Sequence, residues 1–221
     1  RDVATDLRGA LQSPIKRHHA AITEPKALGA LLRALEGFEG TFVVSCALRL
    51  TPLLFVRPGE LRHMEWREVD REAGLWTIPG EKMKMGRDHS VPLAHQTLIT
   101  LNELEPLTGG ERYVFPANRG RGRPMSENTV NAALRRLGYS KDEVTAHGFR
   151  ATARTLLDEV LGERPDIIEH QLAHAVRDPN GRAYNRTAHL PERRQMMQRW
   201  ADYLDSLRAG ATVVPLRVRM E

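Results

Sequence analysis

"GLWTIPGEKMKMGRDHSVPL", residues 74–93, is the stretch whose reading decides the fold. Its ends, "GLWTIPG" and "RDHSVPL", are short runs that suit strands, and "MGRD" between them supplies turn residues. The spacing predicts a β-hairpin. A further strand near "RHMEW", residues 62–66, would complete a small antiparallel sheet. The rest reads helical, apart from a short extended tail in "ATVVPLRVRM". The expected fold class is therefore mainly α with a small antiparallel β-sheet (α+β).

Upstream of the hairpin, residues 1–22 are polar, basic and irregular and read as a linker or tail. "TEPKALGALLRALEGFEG" follows, with Thr23 as the expected N-cap, Pro25 in the first turn and Leu28, Leu31, Leu32 and Leu35 at helical spacing. Residues 41–56 are apolar nearly all round, which predicts a buried helix that Pro52 bends or ends. Pro58 suits the first turn of a short helix through Met64. Downstream, helices are expected over 95–105, over 126–137 with Ser126 as N-cap, and over 148–161. Another opens at Pro165 and runs toward His174, and a long one ends at Gly210. On that last helix Met197, Trp200, Leu204 and Leu207 face inward.

The chain has 221 residues, 41% of them hydrophobic, enough for a real core. Its formal charge of +5 favours polyanionic partners. The single cysteine, Cys46, sits in the apolar run "TFVVSCALRL", so it reads as a buried, inert thiol in a reducing compartment. No run approaches a membrane span.

Several polar residues sit oddly in this pattern. Arg57 ends an apolar helix in "LLFVRPGEL" and needs a partner or a ligand; a salt bridge to Glu60 is the bland reading. "HGFR" puts His147 and Arg150 on one face at a helix start. "EHQLAH" places His170 and His174 at a zinc-like spacing, but Gln171 stands where a zincin needs glutamate, so no metal site is expected. Lys82 and Lys84 lie on or beside the hairpin, where a solvated face is the ordinary role. Tyr184, in "RAYNRT", stands between Arg182 and Arg186; a phenol with a pKa of about 10 is a poor nucleophile without help.

In order, the chain offers an arginine after a buried helix, a lysine on a hairpin, His-x-x-Arg at a helix start, a histidine and a tyrosine. The order resembles the catalytic domain of the tyrosine recombinases, the phage integrase family, and among them integrases of satellite phages and genomic islands. "TPLLFVRPGELRHMEW", "IPGEKMKMGRDHSVPL", "TAHGFRATARTLL", "HQLAHAVRDPNGRAYNRT" and "RRQMMQRWADYL" carry it, over roughly residues 22–208. Each motif is weak alone; five in order are specific.

The resemblance implies that Arg57 and Arg150 are the two catalytic arginines, Lys84 the hairpin lysine, His147 and His174 the two histidines, and Tyr184 the nucleophile. Glu60 would orient Arg57. Lys84 is preferred over Lys82 because the family pattern falls on Met83, Lys84, His89, Val91, Pro92 and Leu93. The implied activity is strand cleavage and rejoining through a 3′-phosphotyrosyl link, with no metal, ATP or other cofactor. A type IB topoisomerase shares that chemistry. A non-catalytic DNA-binding module and a metal hydrolase built on His170 and His174 are rival readings from different classes. Expected partners are double-stranded attachment-site DNA, further copies in a tetramer, and DNA-bending and excision accessory proteins, in the bacterial cytoplasm at the nucleoid. In that context Arg119, Arg121 and Arg123 of "NRGRGRP" would contact phosphates, and Asn128, Thr129 or Asn131 would enter a groove. Residues 1–22 would be the linker from a core-binding domain, 23–210 the catalytic domain, and 211–221 a tail that docks on a neighbouring copy or on its own sheet.

Overall fold

The computed structural model describes residues 19–83, 85–119, 122–174 and 189–210. Helix α1, Pro25–Glu36, is capped by Glu24, whose carboxylate accepts from the Lys26 and Ala27 N–H groups. Thr23 is not the cap; the longer acid reaches two free donors at once. Leu28, Leu31, Leu32 and Leu35 are all buried, as their spacing requires. α2, Phe42–Leu54, carries Pro52 in its last turn and ends at Phe55. The short α3, Pro58–Arg62, follows at once.

The sheet has three antiparallel strands in the order β1 (Val69–Asp70), β2 (Leu75–Ile78), β3 (His89–Pro92). Trp76 pairs with Val91 and Ile78 with His89, so the hairpin stands where the sequence puts it. The first strand does not: it lies at 69–70, while Glu65 of "RHMEW" makes only an isolated bridge to Tyr113. The physical reason is local. Trp66–Glu68 forms a 3-10 turn, which bends the backbone out of strand geometry.

α4 (His95–Thr108), α5 (Thr129–Arg136), α6 (Gly148–Glu159), α7 (Pro165–Gln171) and α8 (Leu190–Arg208) complete the chain order. α4 continues past the expected 105 and includes Pro106. α5 begins at Thr129 after Asn128, so Ser126 is not its cap. α2 is the central helix, packed against α1, α4, α5, α6 and α8. α8 lies against α1, and Gly29 is what lets them approach: a β-carbon there would stand 2.5 Å from the Leu207 carbonyl oxygen. Trp200, buried on α8, donates from Nε1 to the Pro52 carbonyl at 2.9 Å. Met197, Leu204 and Leu207 are buried beside it, and Cys46 is buried as expected. No helix among the described residues is long and apolar enough to cross a membrane.

Candidate active site

The turn between α2 and α3 sets the first arginine. Phe55 takes a left-handed conformation, φ 38°, which a bulky side chain adopts at a cost of about 1–3 kcal/mol. That turn stops α2 and leaves Arg57 as the N-cap of α3. The Arg57 N–H and guanidinium donate to opposite oxygens of the Glu60 carboxylate, at 2.9 and 2.6 Å. Glu60 is buried and Arg57 only partly, so the acid fixes the arginine and leaves part of its fork open. The salt bridge and the site are thus one arrangement.

Arg150 comes from the first turn of α6 and is 6% exposed. It donates to the Phe55 carbonyl at 3.1 Å and to the Leu172 carbonyl at 2.7 Å, and its Nη2 lies 3.2 Å from His174 Nε2. No carboxylate among the described residues hydrogen-bonds to it. Burial, then repulsion from Arg57, brings its pKa down to about 10. The Arg57 charge thus disfavours the buried Arg150 cation, and an anion bound between them would relieve that cost.

His147 sits just ahead of α6, where Thr145 Oγ1 accepts the Gly148 N–H at 3.0 Å. Its pKa falls to about 4, first through burial, then through His19, Arg150, Arg57 and His174. It is therefore neutral near pH 7 and able to accept a proton. His174 follows Ala173, another residue with positive φ (50°). Its Nδ1 is 2.5 Å from Glu169 Oε2. Arg150 can only donate, so Nε2 offers a lone pair and Nδ1 carries the ring proton toward Glu169.

α7 ends at Gln171, so His170 and His174 do not share a helical face and the zinc-like spacing is not realised. Among the described residues no histidine, cysteine and carboxylate group clusters to hold a metal. Lys82 is not a solvated lysine: it donates to His63 O, Glu65 and Glu68. Lys84 and Tyr184 lie outside the described residues, as do Arg121, Arg182 and Arg186.

Sequence reasoning missed the residues that steady this site. His89 on β3 is buried, and its Nε2 donates to the Gln171 carbonyl at 3.1 Å. Burial, then the Arg193 charge, pushes its pKa down to about 3. Arg193, fully buried on α8, donates to Gln171 Oε1 at 2.9 Å and to Ser90 O. Hairpin, α7 and α8 are thereby tied together beside Leu172 and His174. Only the histidine of the K-x-x-x-x-H pattern signalled any of this.

The profile of the phage integrase family matches residues 22–189. The chain belongs to the phage integrase family. It is 42% identical over 216 residues to the integrase of Enterobacteria phage P4, covering 91% of this chain and 49% of that protein. Prophage integrase IntA of Escherichia coli K12 is 38% identical over 211 residues, covering 96% and 50%. The chain thus spans about half the length of these curated relatives. The catalytic core of lambda integrase shares the fold: TM-score 0.53, 21% identity, covering 75% of this chain and 96% of that one.

Of the residues expected to meet DNA, Arg119 and Arg123 are exposed on the loop before α5, with no ion pair to a described residue. Asn128 is exposed and Thr129 half-buried. Asn131 has a structural contact: its Oδ1 accepts from the Ala146 N–H at 2.9 Å, bracing the turn that leads into His147.

Proposed function

We propose that this integrase-family chain is the catalytic part of a site-specific DNA recombinase for a mobile element. The observation that carries the reading is that Arg150 reaches both the Phe55 carbonyl, two residues before Arg57, and His174 Nε2, which gathers two arginines and a histidine about one place. A phosphodiester fits that place, because paired donors of fixed positive charge match the charge that builds on its non-bridging oxygens.

In this reading Tyr184 Oη attacks phosphorus and His147 takes the phenolic proton. The P–O5′ bond breaks, and Lys84 gives a proton to the leaving 5′-oxygen. A 3′-phosphotyrosyl link and a 5′-hydroxyl result. A 5′-hydroxyl from the partner strand then reverses the step, so the bond energy is kept and neither ATP nor a metal is required. The commitment of Lys82 to Glu65 and Glu68 supports Lys84 in the acid role. His174 would donate to a phosphate oxygen from Nε2 in its cationic form, with Nδ1–H still held by Glu169, once a phosphate displaces the Arg150 contact. Glu60 orients Arg57.

Arg119, Arg121 and Arg123, with Asn128 and Thr129, would hold the duplex. Residues 23–210 would form the catalytic domain, with four copies acting together on paired attachment sites. A topoisomerase-like strand transferase uses the same chemistry and would relax supercoils without exchanging partners. The test is incubation of the full-length protein with a nicked attachment-site duplex in EDTA. A covalent protein–DNA adduct on a denaturing gel, and recombinant product from two such sites, support a recombinase. Adduct with relaxation but no exchange favours the topoisomerase reading. Adduct lost on chelation overturns metal independence.

A further inference from the structure

Residues 19–22 precede α1 in the chain but make contacts on α6 and the turn that leads into it. The Thr145 N–H donates to the Ala20 carbonyl at 3.1 Å. Thr152 Oγ1 donates to the Ile22 carbonyl at 2.8 Å, and Ile22 packs on the core. Between them Gly148 leaves room for the backbone: a β-carbon there would stand 1.9 Å from Ala20 O, closer than any side chain allows. These contacts run from the turn before α6 to its second turn. They bring the His19 ring over His147, with centroids 4.2 Å apart and planes tilted by 41°.

We infer that residues 19–22 are a strap that positions His147, with His19 as the positioning residue. The strap lays the His19 ring against the His147 ring and limits its contact with water. His19 also acts electrostatically, since charge on a ring 4.2 Å away, centroid to centroid, opposes charge on His147. The groups that face His147 are His19 from the strap, Arg57 from the α2–α3 turn, Arg150 from α6 and His174 after α7. All four oppose a charge on His147. Burial and then His19 are the leading causes of its depressed pKa, so the strap supplies much of what keeps it neutral.

This inference rests on the reading of His147 as the proton acceptor, and the experiment separates the two. The His147 ring is titrated by NMR in the full-length protein and in His19→Ala and His19→Phe. DNA cleavage is measured over the same pH range. His19→Ala should raise the His147 pKa by about one unit or more. Phenylalanine keeps the cover without the charge and should give a smaller rise. With His147 moved from about 4 to about 5, its neutral fraction at pH 5 falls about twofold and at pH 8 stays the same, so cleavage near pH 5 should fall about twofold relative to pH 8. A purely structural strap would lower stability and leave the titration where it was. An unchanged His147 titration in both variants overturns the inference. A raised pKa without a matching change in the cleavage profile keeps the strap and overturns His147 as the base.

Discussion

Arg150 Nη2 lies 3.2 Å from His174 Nε2, and the same nitrogen donates 2.7 Å to the Leu172 carbonyl. One buried guanidinium therefore joins the α2–α3 turn, the end of α7 and the second histidine. Arg150→Lys cannot span those acceptors, since a single ammonium lacks the planar fork. Strand cleavage by Arg150→Lys and Arg150→Ala should fall by roughly 100- to 1000-fold. The carbonyls of Phe55 and Leu172 lose their donors as well, which should cost about 1–3 kcal/mol in urea unfolding. Near wild-type cleavage in the lysine variant would contradict this role.

Glu169 holds His174 Nδ1 and also meets Arg154 Nε at 3.2 Å. Glu169→Gln keeps an acceptor for Nδ1 and removes the charge. A charge-assisted bond is worth about 1.5–3 kcal/mol. Cleavage should drop by roughly tenfold, with DNA affinity nearly unchanged. Single-turnover cleavage beside a binding titration checks this; a loss confined to binding would show that Glu169 does not act through His174.

Much of this was legible in the sequence, for identifiable reasons. The hairpin was readable because two short strand-like runs flank a polar turn, and the α1 leucines because their spacing is helical. The order of Arg57, His147, Arg150 and His174 pointed to the site even though each motif is common. Tertiary contacts were not readable. Glu169 stands five residues from His174, and the cap after α7 joins them: the His174 N–H donates to the Glu169 carbonyl at 3.1 Å across Ala173, a positive-φ position that no glycine signalled. His19 looked like part of a basic tail, and only folding brings it to His147. The strand expected at 62–66 failed because Trp66–Glu68 winds into a 3-10 turn, and the same turn brings Glu65 and Glu68 to Lys82.

The two hairpin lysines should separate cleanly on substitution. Lys82→Met leaves the Glu68 carboxylate without its ammonium and removes one of the cations on Glu65. Breaking a buried pair costs about 3–5 kcal/mol, so a marked fall in thermal stability is expected. Lys84→Met should instead keep stability and lose cleavage, with rescue by a substrate whose 5′-leaving group is sulfur and needs no proton. The reverse pattern would assign the acid to Lys82.

Acid should weaken the fold in two stages. The folded-state pKa of His147, about 4, and of His89, about 3, lie below the ordinary 6.5. The unfolded chain therefore binds more protons in that interval. Their contribution is complete above about 6.5 and is lost as pH falls toward those values. Glu65 is held at about 2, against 4.5, first by the Arg112 hydrogen bond, with burial opposing and Lys82 assisting. Its contribution is present above 4.5 and is lost as pH falls toward 2. Urea midpoints should decline from pH 6.5 downward, and Glu65→Gln should flatten only the lower stage. A midpoint constant from pH 7 to 4 would contradict the buried-histidine account.

The most direct test of the central claim is adduct formation by Tyr184 at the paired arginines. Full-length wild type, Tyr184→Phe and Arg57→Ala/Arg150→Ala are each incubated with nicked attachment-site DNA, and the adduct is digested and mapped. The account predicts one DNA-linked peptide, containing Tyr184, in the wild type. It predicts none in Tyr184→Phe and a loss of at least about 100-fold in the double variant. An adduct that persists in Tyr184→Phe, or maps to another residue, would contradict it.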